Sequence, residues 1–323
     1  MKYLITGING FVGPHLADLL IDEGHEVAGL IRGSNGNQYD LLDVLTVEKI
    51  ECINWIFGDL TDVNNIHDIF RKNKFDGVFH LASQSHPPTS FSNPILTFNV
   101  NVMGSVLLIN AISNLSSDTK FMFCSTSEVY GDSFEEISTI NSSIAPINPY
   151  GVTKSAIDIY MQERMKNGFI EGFITRAFSH TGPRRGKNFS ISSDAYQIAK
   201  IMKNLQKPTL LVGNLKTNRA VLDVRDVVKA YYLLMINKKS NGRIFNICDD
   251  EYHKMQYYTD ILIDISGIKN VKYKIHKPFY RPIDIDIQIG DTTDLEELTG
   301  WEKKISIEKT LKDLLNYWVK KIG

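Results

Sequence analysis

The stretch "KYLITGINGFVGPHLADLL", residues 2–20, decides how this chain must begin to fold. A short apolar run stops at Gly7, Gly10 and Gly13, and the chain resumes with the helical period of "PHLADLL". Strand, glycine turn and helix in that order set the unpaired N–H groups and positive dipole end of a helix N-terminus against the turn, where a pyrophosphate can sit. Glycine lets the turn tighten and lets backbone approach the ligand with no Cβ in the way. We therefore read Gly7, Asn9, Gly10, Phe11, Val12 and Gly13 as a dinucleotide cradle rather than a purely structural turn.

Outward from this unit the alternation continues. "EVAGLIR", "ECINWIFGDL", "GVFHLAS" and "KFMFCSTS" read as further buried strands, and "NVNVMGSVLLINAISN" as an amphipathic helix between two of them. Strand and helix periods taking turns predict βαβ units and a parallel sheet covered on both faces. The expected fold class is α/β: a doubly wound parallel-sheet Rossmann domain over residues 1–175, with a smaller mixed α/β C-terminal lobe over 176–323 that holds the substrate. The lobe includes a helix in "SDAYQIAKIMKNLQ" and a long one in "VLDVRDVVKAYYLLMIN", and the chain crosses back to the first sheet at least once.

The second strand ends in Arg32, Gly33 and Ser34 instead of the acidic residue that takes the adenosine ribose of NAD. An arginine there suits a 2′-phosphate, so NADP is expected, with NAD as the other cofactor. Asp59, followed by Leu60 at the third strand's end, either reaches the adenine amino group or closes a plain strand-end turn. Tyr150 and Lys154 stand four apart at the start of a helix, so both project from one face. An ammonium beside a phenol favours the phenolate and makes a general base near neutral pH. Between these motifs, "FMFCSTSEVYG", residues 121–131, ends an apolar strand on Thr126 and Glu128.

Together these residues resemble the extended short-chain dehydrogenase/reductase superfamily: TGxxGxxG, "HLAS" at 80–83, "FNVNVMG" with Asn101, the hydroxyl strand end and YxxxK occur in its order. "STSEVYG" is similar to the "TSE" signature of GDP-mannose 4,6-dehydratases, and "HTGPRRGKNFS" and "PFYRPIDIDIQIGD" to two further segments of that group. The resemblance implies Thr126, Glu128, Tyr150 and Lys154 as the catalytic set. It places Leu81 and Ala82 against the cofactor. Ser85, His86, Ser179, Arg184, Arg185, Asn188, Arg219, Arg281 and Asp284 fall against a GDP-linked sugar, with Arg281 on its diphosphate and Asp284 on its ribose. The implied reaction is loss of water across C5 and C6 of a GDP-hexose, GDP-mannose or a relative such as GDP-N-acetylglucosamine or GDP-heptose. The alternative is a GDP-4-keto-6-deoxy sugar reductase, which "DVRDVVKAY" resembles. Helices near 99–115 and 149–167 match those that pair in this superfamily's dimers, so a homodimer is expected, with a homotetramer the further arrangement.

Composition bounds the rest. With 36 basic against 37 acidic residues, the net charge of −1 offers no basic surface for nucleic acid or an anionic membrane. No charged leader followed by an apolar stretch opens the chain, and no later apolar run reads as long enough to span a bilayer, so a cytoplasmic protein is expected. Cys52, Cys124 and Cys248 sit in apolar stretches without metal-ligand spacing, which predicts buried free thiols and no metal.

Overall fold

The computed structural model describes residues 1–33, 38–132 and 137–322; Ser34, the last residue of the expected phosphate turn, lies outside them. The first half alternates as the sequence pattern requires: β1 (Lys2–Thr6), α1 (Val12–Asp22), β2 (Glu26–Ile31), α2 (Val47–Glu51), β3 (Asn54–Phe57), α3 (Val63–Lys72) and β4 (Gly77–His80). A helical stretch follows, α4 (Pro87–Ser92), α5 (Pro94–Phe98) and, after a π turn at Asn99–Met103, α6 (Gly104–Leu115); then come β5 (Lys120–Thr126), α7 (Pro149–Lys166) and β6 (Gly172–Ala177). Local chemistry sets the helix starts. Asp62 caps α3 by accepting from Asn64 N and Asn65 N, and Asn148 followed by Pro149 opens α7.

The second half comprises β7 (Ser179–Thr181), α8 (Ser190–Met202), β8 (Thr209–Val212), β9 (Asn218–Arg219), β10 (Val221–Asp223), α9 (Val224–Ile236), β11 (Ile244–Ile247) and β12 (His253–Lys254). It ends with α10 (Met255–Ser266), β13 (Lys272–Ile275), β14 (Ile287–Gln288), α11 (Thr293–Thr299) and α12 (Ile307–Ile322). The main sheet has seven strands in the order β11–β6–β5–β4–β1–β2–β3, and every pair in it is parallel. β11 thus returns from the second half to lengthen the first sheet beside β6. Its partner α9 covers the same face as α1, where Leu16, Leu20, Tyr231, Leu234 and Phe245 form one core. The other face is packed by α3, α6 and α7 through Ile66, Leu108, Ile112 and Ile157. Burial on both faces is why these strands read as unbroken apolar runs. The smaller lobe has its own core between α8, α10 and α12, including Ile198, Leu262 and Leu314.

Strand order reverses between β1 and β4. In an open parallel sheet this leaves a crevice at the strands' carboxyl ends, and the lobe closes over it.

Under the crevice, Arg176 of β6 pairs with Asp158 of α7 through Nε at 3.0 Å and Nη2 at 2.9 Å, with side chains 2 % and 0 % exposed. Ser125 Oγ of β5 also donates to Asp158, at 2.7 Å. Arg176 Nη1 donates to Tyr130 Oη at 3.1 Å, and that hydroxyl donates to Asn246 Oδ1 of β11 at 2.6 Å. One ion pair therefore ties β5, β6, α7 and, through Tyr130, β11.

Two expectations are corrected. The continuous helix Pro94–Leu115 is long and apolar enough, by length and composition, to cross a membrane; in its second half Leu108, Ile109, Ala111 and Ile112 pack on the sheet, while Ile95, Leu96, Phe98 and Met103 are exposed. Of the three free cysteines only Cys248 is buried; Cys52 is exposed and Cys124 half-buried in the crevice wall, because α2 ends at the surface and β5 ends at the crevice.

Asp158→Asn leaves the Arg176 charge without its counter-ion inside the sheet layer. The expected cost is about 3–5 kcal/mol of stability, seen as a lower urea midpoint with an unchanged slope.

Candidate active site

A single cleft of about 1170 Å³ runs from the glycine turn, past the ends of β4 and β5, to α8 and β8. At its first end, Gly7 has φ +72 and a Cβ there would meet Ala82 backbone at 2.8 Å; a Cβ at Gly13 would meet Ile8 backbone at 2.4 Å. Both glycines are required by close backbone approach, and α1 starts at Val12 with no side chain capping its first N–H groups. Such a cradle, lined by Gly10 and backed by an uncapped helix start, fits a dinucleotide pyrophosphate. Asn9, Phe11, Leu81, Ala82 and Leu60 line it, as do Arg32 and Asp59 at the ends of β2 and β3. Asp59 Oδ1 also accepts from Thr61 N and Oγ1, so it closes its turn and faces the cleft at once.

At the middle of the cleft β5 ends on Thr126, whose Oγ1 accepts from Glu128 N at 3.3 Å across a short 3₁₀ turn. Both side chains are buried. Glu128 Oε2 accepts from Asn148 Nδ2 at 2.7 Å, and Oε1 from Arg281 Nη1 at 3.0 Å. Asn148 Oδ1 accepts from Gly151 N at 2.8 Å, so one side chain both caps α7 and holds the carboxylate. A Cβ at Gly151 would lie 2.8 Å from Glu128 O, which is why a glycine follows Tyr150.

Burial pushes the Tyr150 phenol far up, with Cys124 adding to this, while the Thr126 hydroxyl works the other way. Burial lowers Lys154, whose Nζ donates to Cys124 O at 2.7 Å. The lysine is therefore tied to the strand, and lowering of the phenol by Lys154 alone is not what the protein side chains produce. Arg185 is half-buried, stacked over Phe189 at 3.5 Å and Phe11 at 4.7 Å, and lowered to about 10 by desolvation. His180, also half-buried, is lowered to about 4 by desolvation and is neutral.

Ser85, His86, Ser179, Arg185, Asn188, Arg219, Arg281 and Asp284 all line the cleft. His86 Nδ1 bonds Thr89 Oγ1 at 2.8 Å. Arg219 pairs with Asp284 at 3.0 Å and Arg281 approaches the same carboxylate at 3.8 Å. Arg184 is the exception and a correction. Its φ of +74 turns it out of the cleft wall, and its guanidinium donates to Gly10 O at 3.1 Å and Asn9 O at 3.0 Å, strapping the glycine turn.

Sequence reasoning missed Asn148 and Gln84. Asn148 carried a signal as the residue before the proline that opens a helix. Gln84 N donates to Asn101 Oδ1 at 2.7 Å, and Asn101 Nδ2 donates to Gln84 O and to Thr153 Oγ1, fastening the π turn to α7. Below it His80 accepts from Thr6 Oγ1 at 2.8 Å and donates to Ser105, whose hydroxyl is spent on Asn101 O. This neutral imidazole, lowered to about 3 by burial, is structural. Thr181 Oγ1 and Gln288 Nε2, both buried in the cleft wall, have no hydrogen-bond partner among the described residues, as expected of a wall built for a polar ligand.

A doubly wound sheet with a glycine cradle, a strand-end hydroxyl and a tyrosine–lysine helix defines an extended short-chain dehydrogenase/reductase. Residues 4–314 match the model of the GDP-mannose 4,6 dehydratase family, and the chain belongs to it. GDP-6-deoxy-D-mannose reductase of Pseudomonas aeruginosa is 28% identical over 99% of this chain and 98% of its own. GDP-mannose 4,6 dehydratase 1 of Arabidopsis thaliana is 27% identical over 97% of this chain and 88% of its own. Among solved structures, RMD from Pseudomonas aeruginosa complexed with NADPH superposes with a TM-score of 0.84 at 27% identity, covering 99% of both chains.

Asn148→Ala removes the α7 cap and one of two donors to Glu128. Loss of the cap is expected to cost about 1 kcal/mol, measured by thermal unfolding, with a fall in turnover larger than that stability loss explains.

Proposed function

We propose that the protein is a GDP-sugar 4,6-dehydratase, a hydro-lyase that converts a GDP-hexose of the GDP-mannose type to its 4-keto-6-deoxy product with NADP. The observation that carries this reading is the buried carboxylate of Glu128, held beside Thr126 and Tyr150 at the end of β5. Removing water across C5 and C6 requires a base for the C5 proton; oxidation or reduction at C4 alone does not.

When bound, the dinucleotide supplies the hydride acceptor for C4 and the hydride donor for C6. Tyr150 takes the C4 hydroxyl proton, a role its buried setting reserves for a site carrying added positive charge. Arg185, whose charge already favours the phenolate, and Lys154 supply part of that charge. The Thr126 hydroxyl donates to the C4 oxygen as it becomes a ketone. That ketone acidifies C5, Glu128 removes the C5 proton, and the C6 hydroxyl leaves as water by taking the proton that Tyr150 accepted from C4. Glu128, whose proton exchanges with solvent, then returns a proton to C5 as C6 is reduced, so no external reductant is consumed. Arg281, which occupies Glu128 Oε1 in this structure, exchanges that contact for the substrate diphosphate and frees the base. Exposed Ile95, Met103, Val152 and Ile159 on α5, the π turn and α7 support pairing of these helices in a homodimer.

The full-length likeness to a GDP-6-deoxy-D-mannose reductase favours a second reading, reduction of a GDP-4-keto-6-deoxy sugar. Incubation of a GDP-hexose with the protein and catalytic NADP⁺ separates them: loss of 18 mass units without added NADPH is expected, and no product would sink the dehydratase. Glu128→Gln should retain GDP-sugar binding while dehydration falls by about 10²–10⁴-fold, the range of a lost general base, together with solvent-deuterium uptake at C5. Arg32→Glu should weaken NADP binding and leave NAD binding nearly unchanged, read by fluorescence titration of the two reduced cofactors.

A further inference from the structure

Beyond the arginines the cleft continues between α8 and β8, a stretch the chemistry at Glu128 does not use. A nucleotide sugar is linear. With its sugar at Thr126 and Tyr150 and its diphosphate at Arg219 and Arg281, its base must enter this stretch. The wall there includes Asp194 of α8, 2 % exposed. Thr259 Oγ1 of α10 donates to Asp194 Oδ2 at 2.8 Å, and among the described residues nothing donates to Oδ1 and no cation pairs with the carboxyl. Burial raises it to about 7. The neighbouring Gln197 is committed to backbone: its Oε1 accepts from Leu211 N at 2.8 Å and its Nε2 donates to Leu211 O at 2.9 Å. Gln197 therefore stiffens the β8 edge, and Asp194 Oδ1 is left a buried acceptor whose desolvation a donating ligand would offset.

We propose that Asp194 is the residue that selects guanine, its carboxylate accepting from N1–H and the 2-amino group of the base. The inference rests on the nucleotide-sugar reading above. Guanine presents two adjacent donors along that edge. Adenine presents a lone pair at N1, and uracil a single donor between two carbonyl oxygens, so a carboxylate meets repulsion with either. Hypoxanthine keeps N1–H and lacks the 2-amino group, so GDP against IDP isolates one of the two bonds.

The test is calorimetric titration of GDP, IDP and UDP into the NADP-loaded full chain and into Asp194→Asn. Wild type is expected to favour GDP over IDP, and over UDP, by roughly ten- to hundredfold, the span of a hydrogen bond to a charged group. Asp194→Asn should bring GDP and IDP to within about threefold of each other, with NADP binding unchanged. An Asn variant that keeps the full GDP preference over IDP overturns the role of Asp194 while leaving the nucleotide-sugar reading intact. A wild-type protein indifferent between GDP and UDP overturns that reading and the proposal with it. Thr259→Val guards against an Asp194 variant that fails to fold: it should shrink the GDP-to-IDP ratio, and an unchanged ratio counts against the proposal.

Discussion

The buried pair of Arg176 and Asp158 is the constraint on which the placement of the site depends. Asp158 follows Lys154 by four residues and Tyr150 by eight, so all three lie along one face of α7. Fixing Asp158 to β6 and, through Ser125, to β5 therefore fixes where the phenol and the ammonium stand against the strand end. A buried ion pair adds little net stability, because desolvation cancels most of the attraction. Its effect is on alternatives: any other docking of α7 would leave a guanidinium or a carboxylate unpaired in the sheet layer. Burial acts to lower Arg176, and the partner carboxylate more than reverses it, so the pair stays ionised.

Much of this was legible in the sequence, and the boundary between what was and was not is physical. The first strand, glycine turn and helix are local, and local chemistry determined them: Gly7 and Gly13 are needed because backbone passes within 3 Å of where a Cβ would stand. Tyr150 with Lys154 and Thr126 with Glu128 were legible for the same reason, each pair lying within one turn of chain. What the sequence could not show is set by distant partners. Nothing near residue 176 announces a bond to 158, and nothing in "NPYG" says that Asn148 reaches back twenty residues to a carboxylate. Arg184 and Arg185 were indistinguishable as neighbours in "PRRG"; a left-handed backbone at Arg184 sends one to the glycine turn and the other to the cleft.

The electrostatics of the cleft are those of a machine set for occupied chemistry. Burial raises the phenol of Tyr150 and lowers Lys154, so each is driven toward its neutral form. Neither shift helps a base unless positive charge arrives with the ligands, and the same low-dielectric setting that imposes the penalty then amplifies the attraction. Glu128 is treated differently. Two donors hold it, one fixed through the α7 cap and one carried on the 276–288 segment, so its orientation does not depend on the arginine alone.

That asymmetry bears on why one scaffold serves both enzymes named among the relatives. Reduction and dehydration of a nucleotide sugar both move hydride at a sugar carbon. Dehydration adds one requirement to hydride transfer, a carboxylate close enough to C5 to take its proton and held in orientation. Asn148 holds the orientation of Glu128 in this chain, because its amide is itself fixed by the backbone N–H of Gly151. Glu128 is therefore tied to the helix start itself: one side chain holds its carboxylate through Nδ2 and opens α7 through Oδ1, and Tyr150 lies two residues further along that first turn.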